Sequence, residues 1–261
     1  MSITNLQMQL NWAMGYVNPS QIAKSLTERW IAEESYCPVC LSKLCNAKAN
    51  AAVLDFSCCN CQADFELKSK RGNWGKKITD GAYDTMISRL KSPTSPHFLF
   101  LNYSSNFQVE NLIAVPAYFV QPSCIEKRKP LSQNAKRAGW VGCNILNEKI
   151  PEIGKISLIT HSRIVPKRHV KQAWDKVSFL GEVEKQETRG WTLDILNCVE
   201  SIGHASFTLD EVYKFESSLA EKHPKNKHIK EKIRQQLQIL RDKEVIEFSS
   251  PGKYFYKRNH S

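Results

Sequence analysis

DFSCCNCQADFELKSK, residues 55–70, sets an acidic residue eleven positions before a Glu-x-Lys triplet and places a Cys-x-x-Cys pair between them. The stretch from Asp64 to Lys70 alternates as a strand does, so Phe65 and Leu67 point to one face and Glu66 and Lys68 to the other. AAVLDF, residues 51–56, reads as a second strand with Asp55 at its end. If the two strands are neighbours, the cysteine pair forms the turn between them, and Asp55, Glu66 and Lys68 converge. Two carboxylates suit Mg²⁺, which prefers oxygen ligands. A lysine beside them can stabilise charge that develops on a phosphate. The spacing is short and degenerate, and it equally describes a solvated strand face carrying mixed charges.

The cysteines are more specific. Cys37-Pro-Val-Cys40 and Cys58-Cys-Asn-Cys61 are two Cys-x-x-Cys pairs about seventeen residues apart. That is the spacing of a four-cysteine zinc site, closed to substrate and therefore structural. Nine cysteines is an odd number, which argues against a disulfide framework. Cys45 and Cys59 fall outside the pattern, and their roles stay open.

Composition narrows the class. The 261 residues are 41% hydrophobic and 24% charged, as in a globular protein, and carry a net charge of +11. Such a surplus favours a polyanionic partner. No apolar run is long enough to span a membrane, and the N-terminus has neither the basic start nor the apolar stretch of a signal peptide. A cytoplasmic protein, monomeric in solution, is expected.

Working outward from the opening stretch, residues 18–36 carry apolar side chains at helical spacing, Ile22, Leu26, Trp30 and Ile31. TDGAYDTMISRLKS (79–92) reads as a helix stopped by Pro93, and HFLFLNYS (97–104) and LIAVPAYFV (112–120) as buried strands. ISLITHSRIV (156–165) reads as a strand and PKRHVKQAWDKVSFL (166–180) as a helix beginning on Pro166. This order predicts a mixed α/β domain over residues 1–184. VEKQETRG (183–190) reads as a linker. Three helical patterns follow, over 191–202, 208–222 and 226–245, and then two short strands around Ser-Ser-Pro-Gly. That is a winged helix-turn-helix domain over 185–261, a DNA-binding module.

Two basic surfaces fit such a partner. Residues 126–140 bring Arg128, Lys136 and Arg137 together and end on Trp140, which reads equally as a base-contacting ring or a core residue. The third helical pattern turns Ile229, Ile233, Leu237 and Leu240 inward. It leaves Lys227, His228, Lys230, Arg234, Gln235 and Gln238 on the polar face, where Arg can meet guanine and Gln adenine. An ordinary solvated helix face is the competing reading.

The stretches YCPVC, DFSCCNCQADFELKSK, DGAYDTM, RKPL, KRAGWVGCNI, RGWTLDILNC and IKEKIRQQLQILRDKE together resemble the DpnI-type methyl-directed restriction endonucleases over almost the whole chain. The resemblance implies an α/β nuclease core of PD-(D/E)xK type with an embedded four-cysteine zinc site, followed by a winged helix. It implies Mg²⁺-dependent cleavage of double-stranded DNA at 5′-GATC-3′ when adenine is N6-methylated, with both domains reading the site. By motif, Asp55, Glu66 and Lys68 match the catalytic residues, with Asp55 and Glu66 on Mg²⁺. Cys37, Cys40, Cys58 and Cys61 match the Zn²⁺ ligands, and Trp140 the tryptophan placed at the methylated adenines. The extra Cys59 and residues 1–23 depart from the pattern. The alternative is a zinc-stabilised winged-helix regulator with an inactive nuclease core, which would have no need of all three of Asp55, Glu66 and Lys68.

Overall fold

The computed structural model describes residues 3–47, 54–92, 95–183 and 186–257. These divide into two compact units, one made of those within 3–149 and 155–174, the other of those within 150–154 and 175–257.

The first unit opens with α1 (Pro19–Glu34). Asn18 caps it, its side chain accepting from Ser20 N at 2.9 Å, and Pro19 supplies a ready-made helical φ at the first position. Leu26, Trp30 and Ile31 are fully buried along one stripe. Next come β1 (Leu44–Asn46), β2 (Phe56–Cys58), β3 (Asp64–Arg71), β4 (Lys77–Ala82), α2 (Tyr83–Leu90), β5 (His97–Tyr103), β6 (Val109–Val115), β7 (Ile125–Lys127), β8 (Gly142–Leu146), β9 (Ile156–Thr160), β10 (Arg163–Ile164) and the start of α3 (Lys167–Glu182), whose residues from Asp175 on belong to the second unit. A seven-stranded sheet runs β1-β2-β3-β5-β6-β9-β10, with β3 and β5 parallel and its other pairs antiparallel. A separate three-stranded sheet runs β4-β8-β7.

Strand β5 is buried from Phe98 to Tyr103, as a central strand covered on both faces must be. Each buried Phe or Leu there contributes about 1.5–3 kcal/mol. Truncation at a site such as Leu99 costs about 2–5 kcal/mol, because the cavity adds to the lost transfer energy.

The second unit contains α4 (Gln186–Ser201), β11 (Ser206–Thr208), α5 (Leu209–Tyr213), α6 (Glu216–Lys222), α7 (Ile229–Asp242), β12 (Ile246–Ser250) and β13 (Lys253–Tyr256). Its sheet order is β11-β13-β12. Ile233, Leu237 and Leu240 of α7 are fully buried, and Ile229 nearly so. Thr192 donates to Gln236 Oε1 at 2.6 Å in the interior, locking α7 to α4. Ile150–Gly154 belongs to this unit, where the Glu200 carboxylate accepts from Glu152 N and Tyr256 OH.

Several readings of the sequence need correction. Residues 79–82 are the end of β4, not the start of a helix, because Thr79 and Asp80 pair with Asn144 and Cys143. Strand β6 stops at Pro116, which cannot donate to a ladder, and Ala117–Phe119 is a 3₁₀ turn. Residues 186–190, read as linker, are the start of α4, where Gln186, Glu187 and Arg189 favour the helix and Thr188 and Gly190 are carried by the turns that follow. Residues 208–222 are two helices that break near Phe215, the first opened by a Thr208–Glu211 capping box. Strand β11 had no alternation to announce it. Ala51–Val53 of the first strand reading, Pro93 as a stop, and Glu184–Lys185 of the linker lie outside the described residues. No helix among the described residues is long and apolar enough to cross a membrane.

His97 begins β5 among aromatic neighbours, its ring 5.4 Å from Phe65, 6.5 Å from Tyr118 and 5.0 Å from Trp174. Its Nδ1 accepts from Ala117 N at 3.1 Å, which requires the neutral ring. Burial lowers its pKa from 6.5 to about 4, with Asp64 opposing. Above pH 6.5 folded and unfolded chains are alike in this group. Between 6.5 and 4 the unfolded chain takes up a proton that the folded chain refuses. Stability should therefore fall as pH falls through this window, by on the order of 3 kcal/mol from His97. Thermal melts between pH 7 and 4 check this, and His97→Gln should flatten the loss.

Candidate active site and metal centre

Strands β2 and β3 form a hairpin in the register Phe56↔Phe65 and Ser57↔Asp64. Asp55 sits one residue before β2 and stays on the ladder, its N–H donating to Phe65 O at 3.1 Å. Its carboxylate Oδ2 accepts from Leu67 N at 2.7 Å. This bond fixes the Asp55 carboxylate against β3 at Leu67, the residue between Glu66 and Lys68. Leu54, Asp55, Glu66, Leu67 and Lys68 line a cavity of about 640 Å³, whose opposite wall is α1, including Lys24 and Glu28.

The charges around Glu66 and Lys68 are coupled. Lys68 Nζ donates to Glu66 Oε1 at 2.6 Å and to Asp80 Oδ1. Glu66 is 5% exposed, and burial pushes its carboxyl upward, helped by Asp80 and opposed by Lys68 and Arg89. For Lys68, burial works against the charge, but Glu66 and Asp80 outweigh it and raise the ammonium above its usual range. Arg89 on α2 approaches Glu66 Oε2 at 3.8 Å, an ion-pair contact rather than a hydrogen bond. Glu66 Oε2 and Asp80 Oδ2 are buried oxygens without a hydrogen-bond donor. Acceptors of that kind suit a hard cation. Burial raises Glu28 as well, Lys24 lowering and Asp55 adding to it.

Sequence reasoning missed Glu28, Asp80 and Arg89. Glu28 was one charge among several on an amphipathic helix. Asp80 lies within DGAYDTM, a stretch marked as distinctive, but reading it as helix hid its strand geometry. Arg89 is brought in by a long-range packing that no local pattern records.

The knuckle closes the same hairpin. Sγ of Cys37, Cys40, Cys58 and Cys61 all lie within 4.8 Å of one another. Cys37 is buried and desolvation pushes its thiol upward, so it ionises only where a cation compensates. The four form a set able to hold one tetrahedral ion such as zinc, with no position left open. Cys45 and Cys59 are not free, contrary to the reading against disulfides. The β1–β2 register sets Cys45 opposite Ser57, the knuckle carries Cys59 back to donate to Lys43 O, and a disulfide joins the two cysteines.

Arg128, Lys136 and Arg137 are exposed on the segment between β7 and β8, and Trp140 is half-buried there. Gly139 turns this segment with φ +78°, a conformation that favours glycine. The Arg137 guanidinium lies 4.9 Å from the Trp140 ring centroid. The Trp140 ring rests on Gly142, where a Cβ would come within 2.8 Å of it. Of the basic residues after Lys68, Lys76 and Lys77 are paired with Glu148 and Glu126. In the second unit Lys230, Arg234, Gln235 and Gln238 are exposed on α7. Lys227 and His228 are exposed too but precede the helix, with His228 at its N-cap. The surface pairs Lys230–Glu216 and Arg234–Glu231, both at 3.5 Å, are worth little and yield readily to another anion.

The DpnI, Dam-replacing family matches residues 4–183, and the Dam-replacing HTH domain matches residues 187–256. The chain belongs to the DpnI family. Membership implies a restriction-type nuclease with a helix-turn-helix domain for DNA. The DpnI match begins at residue 4, so the N-terminal segment that departed from the quoted motifs is within the family's span.

Replacing Cys37 or Cys61 by Ser should remove the bound ion and destabilise the first unit, since metal binding is coupled to folding. Metal analysis of the purified protein should find about one zinc per chain. Well-folded protein without zinc would defeat the assignment.

Proposed function

We propose that this chain is a type II restriction endonuclease of PD-(D/E)xK type that cleaves double-stranded DNA at 5′-GATC-3′ when adenine is N6-methylated. The observation that carries the reading is the bond from Leu67 N to Asp55 Oδ2, which fastens one carboxylate on the cavity that Glu66 and Lys68 also line.

Asp55 and Glu66 would hold Mg²⁺, which when bound supplies a Lewis acid and a water of lowered pKa. Both carboxylates have acceptor capacity for it, because the Asp55 bond uses only Oδ2 and Glu66 Oε2 has no donor. Lys68 stays protonated and so can stabilise charge developing on a scissile phosphate. The Leu67 N–H keeps the Asp55 carboxylate oriented. Zn²⁺ on Cys37, Cys40, Cys58 and Cys61 would brace the hairpin without touching substrate.

Methyl reading needs more than one sensor. Burying one methyl group is worth roughly 0.8 kcal/mol, about fourfold in affinity. Two methyls, one on each strand, read by two domains multiply that factor. We assign one reading to Trp140 with Arg128, Lys136 and Arg137, and the other to the α7 face with Lys227, His228, Lys230, Arg234, Gln235 and Gln238.

Adenine-methylated and unmethylated plasmid, incubated with the protein and Mg²⁺, test the reading directly. Only the methylated plasmid should be cut. Asp55→Ala and Glu66→Ala should each lower cleavage by roughly a hundredfold or more, above the cost of losing an outer-shell metal partner, and leave specific binding in place. Activity within tenfold of the parent in either variant would sink the active-site assignment. Trp140→Ala should erode methyl preference in cleavage and keep DNA binding.

A further inference from the structure

Lys68 has two carboxylate partners, and they come from different sheets. Glu66 is its neighbour on β3, while Asp80 comes from β4, the edge of the three-stranded sheet. The Asp80 side chain is only 5% exposed. Its Oδ1 also accepts from Gly81 N at 2.6 Å, and its Oδ2 has no donor. A charged group held this deep by one cation is placed with high constraint.

What holds Asp80 there is the segment that carries Trp140. Asp80 pairs with Cys143 and Ala82 with Gly142, and Gly81 is the extra residue of a bulge between them. Cys143 Sγ donates to Gly81 O at 3.5 Å, and Tyr83 N donates to Val141 O at 3.1 Å. Residues 80–83 are thus stitched to 141–143 through consecutive positions. Gly142 is also the seat of the Trp140 ring, and Arg128 N donates to Gly142 O at 2.9 Å. A bulge is where a strand re-aims a side chain, and here it lies between the carboxylate on Lys68 and the glycine under Trp140.

We propose that Asp80 is a specificity-determining latch, which draws Lys68 away from the scissile phosphate while Trp140 is seated on Gly142 and yields it when Trp140 leaves that seat for a methylated base. The latch rests on the nuclease reading above, since it needs Lys68 to act on the phosphate. The physical requirement is simple. An ammonium held by two carboxylates forms a cluster of net charge −1 that repels a third anion, and releasing one carboxylate leaves a neutral pair and removes that repulsion. Methyl recognition then acts on the rate of the chemical step as well as on affinity, which adds to the small gain that burying a methyl group provides.

The test uses the full chain and two otherwise identical duplexes containing GATC, methylated on both strands or on neither. Single-turnover cleavage is measured with Mg²⁺, and binding without divalent metal. Asp80→Asn keeps the shape and removes the charge. It should raise cleavage of the unmethylated duplex so that the methylated-to-unmethylated rate ratio falls at least tenfold, while both dissociation constants stay within about twofold. Gly142→Ala forces the Trp140 ring off its seat and should lower the same ratio. The double variant should lower it no further than the larger single effect, because both act on one path. A ratio unchanged in Asp80→Asn overturns the latch, as does loss of cleavage on both duplexes or multiplicative effects in the double variant. Lys68→Ala separates this failure from that of the nuclease reading. If Lys68→Ala still cuts, or the parent chain cuts neither duplex, the reading of the site is itself wrong and the latch falls with it.

Discussion

The hydrogen bond from Leu67 N to the Asp55 carboxylate is the constraint on which the site depends. It takes the place of one rung at the end of the β2–β3 hairpin, so the edge of the sheet is completed by a side chain instead of a backbone carbonyl. The acid is held in place by backbone geometry and needs no packing of its own. Everything that stabilises the hairpin therefore positions the acid. The four-cysteine cluster pins the turn, the Cys45–Cys59 disulfide ties the neighbouring strand to it, and Phe56 and Phe65 anchor it in the core. Three independent restraints act on a hairpin whose shorter strand has only three residues. That answers why a metal knuckle stands between the two halves of an acidic site. The sheet alone is too short at this edge to hold them.

The second unit follows a different principle. Its polar face is free because its apolar face is so fully used. Ile233, Leu237 and Leu240 are completely buried, and Gln236, polar but facing inward, is bonded to Thr192. The helix cannot roll without breaking that bond in the interior. Exposed side chains on the opposite face are thereby held in a fixed register, which a surface that reads base edges requires.

What could be read from sequence was what local chemistry dictates. The cysteine spacing, the strand over residues 64–70 and the helical stripe of α7 each follow from local pattern, and the structure has them where they were expected, although Glu66 is buried beside Phe65 where alternation put it on the polar face. The errors arose where tertiary pairing overrides local preference. TDGA has no strand character of its own and is a strand because β8 lies beside it. QETRG is polar enough for a linker and is helical because the rest of α4 extends through it. The acidic site shows the same division. Asp55, Glu66 and Lys68 are close in sequence and border one cavity. Asp80, Arg89 and Glu28 come from β4, α2 and α1, and no local periodicity points from any of them to Asp55, Glu66 or Lys68.

The order in which the elements occur along the chain also has a consequence in time. β3 pairs in parallel with β5, and β4 cannot find its place until β8 has been made. During synthesis at roughly 5–20 residues per second, several seconds pass between the appearance of Lys68 and that of Leu146. Through that interval the acidic hairpin exists on the ribosome before the partner strand that positions Asp80. A nascent chain thus carries Asp55, Glu66 and Lys68 ahead of the sheet on which Trp140 is seated. Parallel pairing delays completion of β3 itself until residues 97–103 arrive. The topology thereby shortens the time for which the acidic hairpin stands complete without β4 and Asp80 beside it.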